Sequence, residues 1–236
     1  MGKYKLRRFA ENEHFNHLIQ PEIAEVLNQK HRLFSKWNAQ FFEKEQPLVL
    51  ELGCGKGEYT LGLAQTFPDK NFLGIDIKGA RLWRGAKTVE DEKISNAGFL
   101  RTRIEFIDSF FAPSEIDEIW ITFPDPQLKE RRAKKRLTAP GFLNKYQQFL
   151  KPDGIIHLKT DSKELYDFTL DVIRQNKLEI IEQTENLYET HAGNPILSIQ
   201  THYEQLFRGK GKNITYLQFR LNRPAPFQWE APDETN

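Results

Sequence analysis

Residues 48–57 read Leu48-Val49-Leu50-Glu51-Leu52-Gly53-Cys54-Gly55-Lys56-Gly57, and this stretch decides the fold. Five residues of near-continuous hydrophobicity run into three glycines on alternate positions, and a helical pattern follows from Tyr59 to Thr66. A short apolar run of this kind suits a strand buried on both faces, as in parallel sheets. The glycines let the chain turn sharply and lie close to a ligand, where a Cβ would intrude. About 20 residues past the last glycine, a second apolar run, Asn71 to Ile77, carries the acidic Asp76 near its end. Strand, glycine turn, helix and strand-end acid together describe a nucleoside-cofactor site. That much suits a dinucleotide and S-adenosylmethionine equally.

Working outward, the alternation continues. Arg103 to Ile107, Glu118 to Phe123 and Ile155 to Lys159 are further candidate strands. Gly79 to Ser95, Ala139 to Leu150 and Ser162 to Gln175 are helical stretches between or after them. Strands alternating with helices at this spacing predict an α/β fold, a largely parallel sheet covered on both faces. Leu178 to Gln183 and Ile214 to Arg220 complete it as the sixth and seventh strands, one of them a candidate antiparallel strand. Ahead of the sheet, residues 1–20 lack periodicity and read as a flexible arm, and Ile23 to Trp37 as one or two helices. The expected organisation is an arm and helical extension over 1–40, the main domain over 41–224 and a loose tail over 225–236.

Glu51 and the glycine spacing tip the cofactor toward S-adenosylmethionine. A carboxylate before the first glycine repels pyrophosphate but tolerates a cationic methionine end. The stretch resembles motif I of class I methyltransferases, E-x-G-x-G-x-G, which Glu51, Gly53, Gly55 and Gly57 meet in full. The single cysteine, Cys54, excludes an internal disulfide and points to a reducing, cytoplasmic setting. In the loop it reads as a small filler. The Asn213-Ile214-Thr215 sequon is then irrelevant. No apolar run is long enough for a bilayer, no signal-peptide pattern opens the chain, and Leu6 stands where myristoylation wants Ser or Thr.

The formal charge is +1, with 39% hydrophobic and 28% charged residues, so the chain as a whole is not basic. Its cations are clustered instead: Lys3, Lys5, Arg7 and Arg8; Lys129 to Arg136; and Arg208, Lys210 and Lys212. Any one such patch is equally well a solvated face. The middle one is different in its context. Ile121-Thr122-Phe123-Pro124-Asp125-Pro126 ends the fourth strand, where doubly wound sheets gather their ligands. The prolines stiffen the turn. A rigid carboxylate followed by Lys129, Arg131, Arg132, Lys134, Lys135 and Arg136 describes a nucleobase held beside gripped phosphates.

From Leu48 to Phe219 four motifs in this order resemble the bacterial tRNA (guanine-N7)-methyltransferase family. They are the glycine loop, Phe123-Pro124-Asp125-Pro126 with Lys129 and the basic run, Thr160-Asp161 after the fifth strand, and Thr201-His202-Tyr203-Glu204. The resemblance implies a Rossmann-like class I methyltransferase fold, a largely parallel seven-stranded sheet with helices on both faces. It implies S-adenosyl-L-methionine lined by Glu51, Asp76, Asp108 and the glycines, with Asp108 near the adenine. It implies Asp125 as the catalytic residue between cofactor and guanine. Lys129, Asp161 and Thr201 to Glu204 would contact the substrate nucleotide, and Arg131, Arg132, Lys134, Lys135 and Arg136 the RNA phosphates. The implied target is a tRNA variable-loop guanine.

The chain departs from the family in Gln127 for a common Trp, Arg132 for a common His, and Asp76 for a frequent Glu. Taken alone, Asp161 reads as a helix cap and Thr201 to Glu204 as a helix start. His14 and His17 lack a third ligand, so no metal is expected. Two alternatives stay open: methylation of an exocyclic amine, disfavoured by Gln127 in the place of a stacking aromatic, and an inactive RNA-binding module. Monomer and homodimer both remain open.

Overall fold

The computed structural model describes residues 2–27 and 29–231. A helix α1 (Gly2–Asn12) and a two-residue strand β1 (Leu18–Ile19) precede the glycine-loop unit. That unit is β2 (Leu48–Leu52), α2 (Glu58–Thr66) and β3 (Asn71–Asp76). Next come α3 (Gly79–Glu92), β4 (Ala97–Arg101), β5 (Ile116–Thr122), α4 (Pro140–Tyr146) and β6 (Leu150–Thr160). The chain then runs through α5 (Lys163–Gln175), β7 (Glu179–Thr184), α6 (Leu187–Thr190), α7 (His202–Arg208) and β8 (Thr215–Arg220).

The strands form one sheet in the order β1-β4-β3-β2-β5-β6-β8-β7, in which only β8 runs antiparallel to its neighbours. Among the described residues the sheet has eight strands where seven are expected. The additional one, Leu18–Ile19, pairs parallel with Phe99 and Leu100 at the edge, too short to register as a periodic pattern. All five residues of β2 are buried, as its unbroken hydrophobicity predicts. Leu48, Leu50 and Leu52 join one core layer, with Trp37 and residues of α4 and α5. Val49, Phe72, Phe99 and Trp120 join the other, under α2 and α3.

The stretch from Ile23 to Trp37, read as one or two helices, holds among its described residues only the 3-10 turn Ile23–Glu25 before a π-helix at Trp37–Phe42. Three further local expectations are corrected. The third strand lies at Ala97–Arg101, not at 103–107, where Ile104–Ser109 forms a 3-10 helix. The spacing of Ile104 and Ile107 is that of a three-residue turn, and Ile107 faces the core. The N-terminal arm is a helix docked on α3: Glu11 accepts the Trp83 indole N–H at 2.5 Å, and Asn12 donates to the Gly79 carbonyl at 2.9 Å. The Lys3 side chain lies outside the described residues.

The third correction is at the C-terminus. Phe227 is buried and exchanges two backbone bonds with the Asn144 amide, and Gln228 does the same with Asn176. Trp229 meets Phe168 edge-on at 4.8 Å. The expected loose tail is therefore docked as far as Glu230; residues 232–236 lie outside the described residues.

Candidate active site

The glycine loop turns from β2 into α2 with Gly53, Gly55 and Gly57 all at positive φ, between 60° and 78°. Their environments differ. A Cβ at Gly53 or Gly55 would meet nothing within 4 Å, so these two leave an open cradle. A Cβ at Gly57 would lie 2.4 Å from the Phe99 ring, so that glycine serves packing of loop on sheet. Asp76 ends β3 opposite the cradle. One of its carboxylate oxygens accepts the Gly55 N–H at 3.0 Å, the other the Lys78 N–H at 2.7 Å. The acid and the glycine loop thus form one unit.

Glu51 sits beneath that unit and not on its surface. Its carboxyl group accepts the Thr60 N–H at 2.8 Å and the Thr60 hydroxyl on one oxygen, and the Thr122 hydroxyl at 2.5 Å on the other. Burial pushes its pKa up to about 7, against the pull of those donors. Burial likewise pushes the Cys54 thiol well up, which keeps it protonated, in keeping with its reading as filler.

In front of the loop opens a cleft of about 510 Å³ bordered by Gly53, Asp76, Ile77, Glu105, Gln127 and Phe142, among others. It fits S-adenosylmethionine chemically: a glycine cradle, a strand-end carboxylate for ribose hydroxyls, and apolar walls for a purine. Asp108, expected beside the adenine, does not border it. Its carboxylate pairs with Lys145 at 2.8 Å and its carbonyl accepts from Lys30 at 2.7 Å. The acid of this segment that borders the cleft is Glu105, three residues earlier on the 3-10 turn. Misplacing the third strand hid it. Ile77 was also missed; a large apolar side chain left half exposed directly after Asp76 is the signal that could have found it.

Beyond β5 the chain is strained. Phe123 and Gln127 hold φ of 47° and 48°, a region that bulky residues avoid. Three attachments impose it. The Phe123 N–H donates to the Lys159 carbonyl at 2.8 Å, and Asp125 accepts the Gln127 N–H at 3.0 Å. Arg136 donates to the Pro126 carbonyl at 3.1 Å and lies 4.4 Å from the Phe168 ring. Arg136 is buried, which corrects its expected role at RNA phosphates: it braces the loop that carries Asp125. Asp125 itself is exposed, as are Lys129, Arg131, Arg132, Lys134 and Lys135, and Arg132 and Lys135 border the cleft.

The two later motifs converge on this loop. Ser162, not Asp161, caps α5, and Asp161 instead pairs with Lys212 at 2.7 Å. Thr201 caps α7 through the Glu204 N–H, and the His202 N–H donates to Glu58 at the start of α2. Phe207 of α7 lies 6.2 Å from the Phe123 ring. His202 and Tyr203 are exposed, and the Arg81 guanidinium stands 5.6 Å from the Tyr203 ring. Glu204 is fully buried: it pairs with Lys159 at 2.8 Å and accepts the Tyr188 hydroxyl at 2.5 Å. It is not free to meet a base edge, which corrects its expected contact.

A strand-turn-helix cradle with a strand-end acid, opposite a strained carboxylate loop, defines a class I S-adenosylmethionine-dependent methyltransferase. Known proteins agree. Residues 45–217 match a family model described as "Putative methyltransferase". The 16S rRNA methyltransferase KamB shares the fold at a TM-score of 0.60 and 13% identity, over 83% of this chain and 98% of that one. A 30S ribosomal A1408 methyltransferase from an uncultured bacterium gives 0.54 at 18% identity, over 77% and 91%.

Sequence relatives are more specific. A tRNA (guanine-N(7)-)-methyltransferase of Christiangramia forsetii is 50% identical over 93% of this chain and 99% of the relative. One of Bacteroides thetaiotaomicron is 47% identical over 97% and 90%. The chain belongs to the tRNA (guanine-N(7)-)-methyltransferase family.

Proposed function

We propose that this chain transfers a methyl group from S-adenosyl-L-methionine to N7 of a guanine in the tRNA variable loop. The observation that carries the reading is the exposed Asp125 carboxylate on a strained loop, bonded to the N–H of Gln127, which borders the cleft, and followed by a row of exposed cations. The cofactor would be held by the Gly53–Gly55 cradle, Asp76, Ile77 and Glu105. When bound there it supplies a methyl group on a cationic sulfur, open to a lone pair.

Guanine N7 has such a lone pair and no proton, so the chain need supply no general base. What it supplies is position and charge. Asp125 orients the guanine and stabilises the positive charge that develops on the purine. The braces at Lys159, Gln127 and Arg136 keep that carboxylate from relaxing away. Lys129, Asp161, Thr201, His202 and Tyr203 border the substrate nucleotide, the Thr201 hydroxyl being engaged in its helix cap. Arg131, Arg132, Lys134 and Lys135 hold phosphates. Gln127 turns to the cleft with no aromatic ring to stack a flipped base, which disfavours exocyclic-amine methylation.

The test is transfer to unmodified tRNA followed by nucleoside digestion and mass spectrometry, on wild type and Asp125→Ala. The expected product is 7-methylguanosine from wild type alone, with cofactor binding by calorimetry retained in the variant. A methyladenosine product, or undiminished turnover by Asp125→Ala, would contradict the reading.

A further inference from the structure

Lys159, the penultimate residue of β6, is fully buried. An ammonium taken out of water is costly unless all its donors are used. Here they are: Lys159 Nζ donates to the Glu204 carboxylate at 2.9 Å, the Leu197 carbonyl at 2.7 Å and the Ile199 carbonyl at 3.1 Å. The Tyr59 ring stands 5.2 Å away and the Phe123 ring 5.9 Å. The same residue's backbone carbonyl takes the Phe123 N–H. One residue therefore grips two loops. Its main chain fixes the strained turn that carries Asp125, and its side chain fixes the segment that presents Thr201, His202 and Tyr203.

Packing alone does not call for a charge pair at this place, because apolar side chains of similar volume commonly hold such a core equally well. What an ion pair adds is direction. It specifies which carbonyls and which carboxylate close on β6, and so where the two walls stand relative to each other. Glu204 has no freedom left, since its second partner is the Tyr188 hydroxyl.

We propose that Lys159 is a positioning residue for methyl transfer, with Glu204 as its counterion. Together they lock the 197–204 segment against the Asp125 loop. The inference rests on the tRNA methyl-transfer reading and adds to it a residue and a division of labour: Glu204 organises the pocket, and its neighbours face the nucleotide.

The experiment compares the full-length wild type with Lys159→Met, the double variant Lys159→Met/Glu204→Leu, and Glu204→Gln. Melting temperature, cofactor Kd by calorimetry, and kcat and KM on unmodified tRNA are measured for each. Lys159→Met strands a buried carboxylate and lowers the melting temperature, whereas the double variant regains most of it. Both bind cofactor within about threefold of wild type, yet the double variant keeps a kcat lowered by about tenfold or more, because a small misplacement of reacting groups is enough.

A double variant with wild-type kcat and KM would make the pair merely structural and overturn the inference while leaving the methyl-transfer reading intact. A wild type inert on tRNA would overturn that reading and the inference with it. Glu204→Gln keeps the acceptor and the shape, so a reduced kcat at unchanged KM is expected. A raised KM at unchanged kcat would mean that Glu204 touches the guanine, and would overturn its assignment as counterion.

Discussion

Glu51 makes the apo protein's stability depend on pH across the neutral range. In the unfolded chain the carboxyl ionises near 4.5, and in the fold at about 7, chiefly because it is buried. Between those values the folded state holds a proton that the unfolded state has released, so stability falls as pH rises. The contribution is fully present below the unfolded value and is lost as pH passes through the folded one. A separation of this size corresponds to about 3 kcal/mol at most. Against a typical total of about 5 to 15 kcal/mol, that is a large share. Glu51→Gln removes the titration and keeps an acceptor for Thr60 or Thr122. Thermal melts of both proteins, without cofactor, from about pH 5 to about pH 8 are expected to diverge, with wild type losing several degrees more than the variant. Parallel curves would refute the reasoning, since they would mean that the carboxyl is already ionised in the fold across this range, as it is in the unfolded chain.

Further predictions follow from the same geometry. Gly57→Ala places a Cβ on the Phe99 ring at positive φ and should cost about 3 kcal/mol or more in urea unfolding. Gly55→Ala, whose Cβ points into open space, should cost about 1 to 2 kcal/mol for the backbone and act mainly by weakening cofactor binding in calorimetry. Replacing exposed Arg131 and Lys134 by Ala should lower the slope of log affinity for tRNA against log salt by about 0.7 to 0.9 per residue, measured by filter binding at several salt concentrations. Truncation after Pro224 removes buried Phe227 and leaves the Asn144 and Asn176 amides without their backbone partners, and should cost about 3 kcal/mol or more in the same unfolding assay, while cofactor Kd stays unchanged.

Much of the sheet was legible because its information is local. The run from Leu48 to Gly57 contains the strand, the turn and the helix start, and each has its own residue signature. Phe123-Pro124-Asp125-Pro126 is likewise a stiff local object at a strand end. Tertiary assignments were harder to read. Arg136 belongs to a basic run and reads as one of its phosphate contacts, yet packing on Phe168 buries it. Lys159 follows the apolar Ile155, Ile156 and Leu158 in its strand, and its partners stand some 40 residues further along, which no periodicity can reveal. Asp108 and Glu105 share one short segment, and only its true conformation, a 3-10 turn, decides which faces the cleft. Composition and spacing locate charge; whether that charge meets water, a partner or a ligand depends on which distant residues fold against it.

The most direct test of the account is methyl transfer from radiolabelled S-adenosylmethionine to unmodified tRNA, followed by aniline cleavage, which breaks the chain at 7-methylguanosine. Label in the tRNA together with cleavage at a single variable-loop guanine is the predicted result. Label without cleavage would put the methyl group on another atom and contradict the proposed chemistry.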